Sequence, residues 1–134
     1  MNGVARSSDV IRAYFDAMNA GDAPRAVACV APDFLNEHTS SLGNSLRGRD
    51  AYGEKLPKFM AQFEGLHYEL EDIIEDGDRV AVPYTMTFNW QGDDGASYPV
   101  KIRGMFRFVV RDGLIAHRTD YWDSNEFTRQ TTPA

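Results

Sequence analysis

The sequence predicts an α+β fold: a cone-shaped, curled antiparallel sheet with N-terminal helices packed on its concave face, an α+β barrel. Three observations predict it. Residues 8–20 repeat apolar side chains at helical spacing. From Leu66 onward the apolar period switches from helical to two. The two-periodic runs are joined by the turn clusters DGDR, GDDGAS and RDG, which make hairpins of them. Helices followed by consecutive hairpins is the order of an α+β domain.

The elements follow in chain order. Val10, Ile11, Tyr14, Phe15 and Met18 form one helical stripe, and Gly21 stops it. Asp22 can cap a second helix with Pro24 in its first turn; this helix carries Val27 and Cys29 and ends near Pro32. A short strand runs from Phe34 to His38, and TSSLGNSLRG reads as a loop. Asp50 to Glu64 carries Tyr52, Leu56, Phe59, Met60 and Phe63 at helical spacing, with Pro57 predicting a kink or break. LHYELEDIIE then reads as one strand and VAVPYTMTFNW as the next, with Pro83 suggesting a bulge or an edge. YPVKIRGMFRFVV alternates again, and GLIAHRTDYWD closes the sheet. One domain spans residues 1–134, with frayed ends at about 1–6 and 128–134.

Composition narrows the function classes. Net charge is −6, which argues against a nucleic-acid surface. No run is long enough to span a membrane, and MNGVARSSDV lacks an apolar signal core, so a cytoplasmic location is expected. A lone Cys29 excludes an internal disulfide and reads as a small buried hydrophobe. Eight Phe, six Tyr and two Trp are enough bulky surface to line an apolar cavity. The three histidines lack i, i+4 spacing, so no metal is expected; His67 and His117 read as solvated or structural.

The last strand raises the functional question. In IAHRTDYWD, Arg118, Asp120 and Trp122 share one face, and Thr119, Tyr121 and Asp123 the other. The inner face of the preceding strands carries Tyr84, Met86, Phe88, Trp90, Phe106 and Phe108, so continuity turns Trp122, Asp120 and Arg118 inward. A carboxyl and a guanidinium are expensive in an interior unless they are paired or used.

With these elements in place, the chain resembles the nuclear transport factor 2-like superfamily over nearly its whole length. That group includes ketosteroid isomerase, limonene-epoxide hydrolase, scytalone dehydratase and the SnoaL-type polyketide cyclases. In YFDAMNAGD, the resemblance places the isomerase's catalytic tyrosine on Tyr14. In DFLNEH, it places His38 where the isomerase has its aspartate base and the hydrolase its water-orienting asparagine, and Asn36 on the hydrolase's water-binding tyrosine. In GLIAHRTDYWD, Asp120 matches the hydrolase's water-activating aspartate. The departures are specific. Gly104 stands at the isomerase's second aspartate. Arg79 matches the hydrolase's arginine, but Ala81 stands at its partner aspartate. Neither catalytic set is complete, and the fold alone licenses no activity.

Asp120 is therefore the first candidate catalytic residue, because an apolar cavity raises a carboxyl pKa toward the proton-transfer range. A structural ion pair with Arg118 is the competing reading. His38 is the second, expected opposite Asp120 with a substrate between them; otherwise it is a strand-end histidine bonded to the adjacent loop. Tyr14 is the third, as an oxyanion donor or a plain core tyrosine. Asn36, Met86, Phe88, Trp90, Phe106, Arg118 and Trp122 are the expected substrate-binding walls. Glu37 and Asp123 read as solvated. The expected function is a cofactor-independent acid–base enzyme, of isomerase, cyclase or epoxide hydrolase type. Its substrate would be a small apolar molecule, steroid-, terpenoid- or polyketide-like. The alternative is a non-catalytic carrier using the same pocket. A third reading is a protein-interaction module working through the outer sheet face, with Arg103, Met105, Arg107 and Tyr121; that face is more simply a homodimer interface.

Overall fold

The computed structural model describes residues 6–133. Eleven elements follow in order. They are α1 (Ser7–Asn19), α2 (Ala23–Val27), β1 (Val30–His38), β2 (Leu46–Arg47), α3 (Arg49–Gln62) and β3 (Phe63–Leu70). Then come β4 (Ile74–Asp76), β5 (Arg79–Gln91), β6 (Ser97–Arg111), β7 (Leu114–Tyr121) and α4 (Ser124–Gln130). The α+β class stands, with helices packed on a curled sheet that does not close. Its strand order is β2-β1-β7-β6-β5-β3, with β4 also on β5. One feature of the expected sheet is corrected: it is mixed, because β1 runs parallel to β7. A parallel neighbour needs a long crossover, and the whole chain from β2 to β6 supplies it.

Helix α1 docks on the centre of this sheet. Ile11, Tyr14, Phe15 and Met18 are buried, and the Phe15 ring packs against Tyr68, Phe106 and Phe108. Each fully buried ring of this kind contributes about 1.5–3 kcal/mol. The cap is local: the Asp9 carboxylate accepts from the Arg6 backbone N–H at 3.0 Å.

The prolines are placed differently from the sequence reading. The second helix ends at Val27, and Pro32 lies inside β1. It sits where the pairing of β1 with β7 shifts, between Val30 and Leu35, so a missing N–H breaks no regular ladder there. Helix α3 continues through Pro57, at the expense of one intrahelical bond to the Gly53 carbonyl. Pro83 makes no bulge toward β6: the β5–β6 register is unbroken from Arg79↔Val109 to Gln91↔Ser97. The irregularity lies on its other side. LHYELEDIIE is two strands, and the gap between β3 and β4 falls beside Pro83, whose carbonyl accepts from Glu71 at 2.9 Å.

The C-terminal end is also more ordered than expected. Residues 124–130 are the helix α4, capped by the Asp123 side chain on the Asn125 N–H at 2.9 Å. Phe127 packs against Phe88 and Trp90, and Gln130 bonds the Lys101 backbone N–H and C=O. Asp123 is therefore a cap and not merely solvated. Residues 1–5 and 134, part of the ends expected to fray, lie outside the described residues. Among the described residues, no helix is long and apolar enough to cross a membrane.

Candidate active site

A cavity of about 420 Å³ lies between the sheet, α3 and α4, within the range of small-molecule sites. Because the sheet curls, residues from β1, β3, β5, β6 and β7 all reach it. Met86, Phe88, Trp90, Ile102 and Trp122 are among its apolar walls, and Asn36, His38, Arg118 and Asp120 among its polar ones.

Strand β7 sets the chemistry. Its alternation turns Arg118 and Asp120 inward, and both are buried. The parallel register then pairs His38 with Asp120 and Asn36 with Arg118. The four polar groups thus form two adjacent rungs. His38 and Asp120 lie side by side, with Nδ1 3.6 Å from Oδ2, and not across a ligand as the sequence reading had them.

Asp120 has one oxygen held and one open. The Tyr84 hydroxyl donates to Oδ1 at 2.6 Å. Burial raises the Asp120 pKa to about 6, against the opposing pull of Arg118 and of the Tyr84 bond. Burial also lowers His38 to about 3, with Arg118 and Lys55 adding to the effect, so its imidazole is neutral at neutral pH. The His38 Nδ1 is buried without a hydrogen-bond partner, as is the Trp122 indole nitrogen. The His38 backbone N–H donates to Ser45, and Gly43 lies so close to the His38 side chain that no Cβ would fit there.

The guanidinium of Arg118 has neutral partners. Its Nε donates to Asn36 Oδ1 at 2.9 Å and its Nη1 to the Tyr14 hydroxyl at 2.8 Å. Its carbon lies 4.8 Å from the Phe106 ring centre, a cation–π contact. Tyr14 and Tyr52 hydroxyls share a short hydrogen bond. Proton accounting constrains this pair. Arginine only donates, so Tyr14 accepts from Arg118. Tyr14 is fully buried, and among the described residues Tyr52 is the one other partner of its hydroxyl. Either hydroxyl can donate in this pair, and an unbonded buried proton costs about 1–3 kcal/mol; donation from Tyr14 leaves the spare proton on Tyr52, the one of the two that lines the cavity, where a ligand can accept it. That proton has no other acceptor among the described residues. Burial and Tyr14 push the Tyr52 pKa well up, so it stays a protonated donor.

Of the residues singled out from sequence, Asp120, His38, Asn36, Arg118, Met86, Phe88, Trp90 and Trp122 line the cavity. Tyr14 and Phe106 do not; they form the layer beneath it, and Tyr52 stands where Tyr14 was expected. Tyr84, which holds Asp120, is the side chain at this candidate site that sequence reasoning did not single out. Its signal was Gly104, opposite it in the β5–β6 register. A Cβ at Gly104 would lie 2.5 Å from the Tyr84 hydroxyl and 2.8 Å from the Tyr121 carbonyl. Gly104 therefore makes room for the phenol that holds Asp120. Gly104→Ala should destabilise by about 1–3 kcal/mol in denaturant unfolding, because backbone as well as ring must move.

On the opposite face, Glu37 is not merely solvated: it bonds His117 at 2.9 Å and Thr119 at 3.1 Å, and these bonds lower its pKa. Arg79 pairs loosely with Asp76 at an exposed turn, not in the cavity. Among the described residues, no group of three His, Cys, Asp or Glu is placed to hold a metal ion.

A family model described as a SnoaL-like domain matches residues 11–118. Among solved structures, the chain is similar to a candidate polyketide cyclase from Silicibacter sp. TM1040. The two are 27% identical with a TM-score of 0.78, over 98% of this chain and 100% of that one. It is also similar to an LEH-like epoxide hydrolase from M. tuberculosis, at 19% identity and TM-score 0.78, over 92% and 87% of the two chains. TerC, co-crystallised with polyporic acid, is 21% identical with a TM-score of 0.77, over 94% and 98%. The last two likenesses concern the fold. No curated protein matches the chain.

Proposed function

The chain belongs to the SnoaL-like domain family, and from that premise we propose that its cavity performs a cofactor-independent acid–base reaction on a small, largely apolar molecule. The observation that carries this is Asp120: a buried carboxyl with one oxygen fixed by Tyr84, the other open beside a neutral His38, and a pKa raised to about 6. A base is most effective when its pKa lies near the working pH.

The reaction that fits best is proton abstraction next to a carbonyl. The open Oδ2 takes the proton, the carbonyl oxygen gains the charge, and Asp120 becomes the neutral acid. Tyr52 and the Trp122 indole N–H are the donors available to that oxygen. Returning the proton to another carbon completes an isomerisation. Attack of the enolate carbon on a second carbonyl completes an aldol cyclisation, with the proton delivered to the new alkoxide. Epoxide opening is less well served, since Arg79 and Ala81, the positions matched to the hydrolase's arginine–aspartate pair, supply no acid at the cavity. In this reading the exposed Met105 and Tyr121, opposite each other on β6 and β7, are where a second copy of the chain packs.

The test is solvent deuterium exchange into a panel of enolisable aromatic ketones and 1,3-dicarbonyl compounds, followed by proton NMR. Exchange no faster than in buffer for every member would overturn the reading. Tyr52→Phe should slow the exchange by about 10²-fold, the scale of one lost oxyanion donor.

A further inference from the structure

We propose that the ligand of this cavity carries one ionised oxygen group, a carboxylate or an acidic enol, on its otherwise apolar skeleton, and that Lys55 meets it at the cavity mouth. This deepens the reading above and rests on the cavity being the substrate site.

The cavity face of α3 is a single helical stripe. Tyr52, Lys55, Leu56, Phe59 and Gln62 all line the cavity and recur at three- and four-residue spacing. Lys55 is the one charged residue on that stripe. Its aliphatic stem can lie along the apolar wall while its exposed ammonium stays at the opening. Among the described residues Lys55 makes no ion pair. Its helical neighbours three and four positions away, Ala51, Tyr52, Lys58 and Phe59, include no carboxylate.

The second cation of the cavity is Arg118, whose hydrogen bonds go to Asn36 and Tyr14, both uncharged. Asp120 is the one carboxylate in the lining, and its hydrogen bond comes from Tyr84. His38 is neutral. Lys55 and Arg118 against Asp120 leave the lining at +1, inside a protein of net charge −6. Both cations depress the proton affinity of His38, so their fields overlap at that point of the cavity. A positive field that Asp120 offsets only in part, in a mostly apolar space of low dielectric, favours an anion and disfavours a cation. The same field stabilises an enolate formed by Asp120. A ligand that already carries an oxyanion is bound by it before any chemistry.

The experiment is calorimetric titration of the intact protein at neutral pH with two matched pairs. One is 2-naphthylacetate and its neutral isostere 2-naphthylacetamide. The other is 2-hydroxy-1,4-naphthoquinone, an acidic enol, and its neutral methyl ether. In at least one pair the anion should bind about tenfold tighter than its partner, and the pair with the wider gap identifies carboxylate or enol. Lys55→Gln should remove most of that gap and leave the neutral probes unchanged, and high salt should narrow it. Equal affinity within both pairs, a Lys55→Gln effect that falls on anion and neutral probe alike, or no binding by any probe would overturn the proposal. Asp120→Asn should keep the preference for the anion while losing proton exchange. A failure here therefore leaves the acid–base reading standing, and a failure of deuterium exchange leaves the ligand class standing.

Discussion

Asp120→Asn is expected to lower enzyme-catalysed deuterium exchange by about 10²–10⁴-fold, the usual contribution of a general base, with the fold retained. Asparagine keeps the shape of the side chain and an oxygen that accepts from the Tyr84 hydroxyl, which donates to Asp120 at 2.6 Å. It has no site for the abstracted proton. Circular dichroism and the unfolding midpoint establish that the variant is folded, and NMR exchange measures the loss. Full activity of the folded variant would remove Asp120 from the mechanism. Asp120→Leu separates catalyst from carrier. A carrier of apolar ligands should bind them as tightly or more tightly once the carboxylate is gone, because the charge there opposes burial of apolar surface. An enzyme whose ligand carries a carbonyl beside the base loses turnover with either substitution.

The fold was legible because each local signal agreed with the next. The change of period at Leu66, the three turn clusters and the alternation of β5 and β6 fix the hairpins, and continuity across hairpins turns Arg118 and Asp120 inward. Parallel pairing of β1 with β7 was not legible. It joins residues about 80 positions apart with no turn between them to mark it, yet it is what sets His38 beside Asp120. The same limit applies to Tyr84. Its place on the inner face follows from alternation, but its bond to Asp120 crosses an intervening strand and depends on the absence of a side chain at Gly104. Tyr14 was assigned to the right face and the wrong depth: periodicity gives the direction of a side chain, while its distance from a cavity depends on what packs above it. Here Arg118 and Tyr52 do. Helix α4 did have a signal. Asp123 and Glu126 stand at capping-box spacing ahead of Phe127, and the run was too short to show an apolar stripe.

The pH dependence of stability should reveal His38 and Asp120 as two neighbours whose affinities for a proton are shifted in opposite directions. Asp120 is raised from 3.8 to about 6 in the folded protein. Taken alone, it contributes stability that is fully present at low pH and is lost as pH rises through that interval. His38 is lowered from 6.5 to about 3. Taken alone, it contributes stability present at high pH that is lost as pH falls from 6.5 toward 3. Between about pH 4 and 6 the folded pair holds one proton, on Asp120, and the unfolded chain also holds one, on His38. Equal proton counts give no slope, since stability changes with pH only where the two states bind different numbers of protons. Each single substitution breaks this balance. Relative to the wild type, Asp120→Asn should gain stability as pH rises from about 4 to 6, with a limiting slope of about 1.4 kcal/mol per pH unit. His38→Gln should lose stability over the same interval with a slope of opposite sign. Urea unfolding at a series of pH values reads both, and taking differences from the wild type removes the contribution of every other carboxylate. Variant curves parallel to the wild type would mean that both groups titrate at ordinary values, and Asp120 would then lack the perturbed pKa on which its role as base depends. Opposite slopes would place the ionisation that switches on the base near pH 6. The neutral imidazole beside it would then add no further positive charge to the field of Arg118 and Lys55.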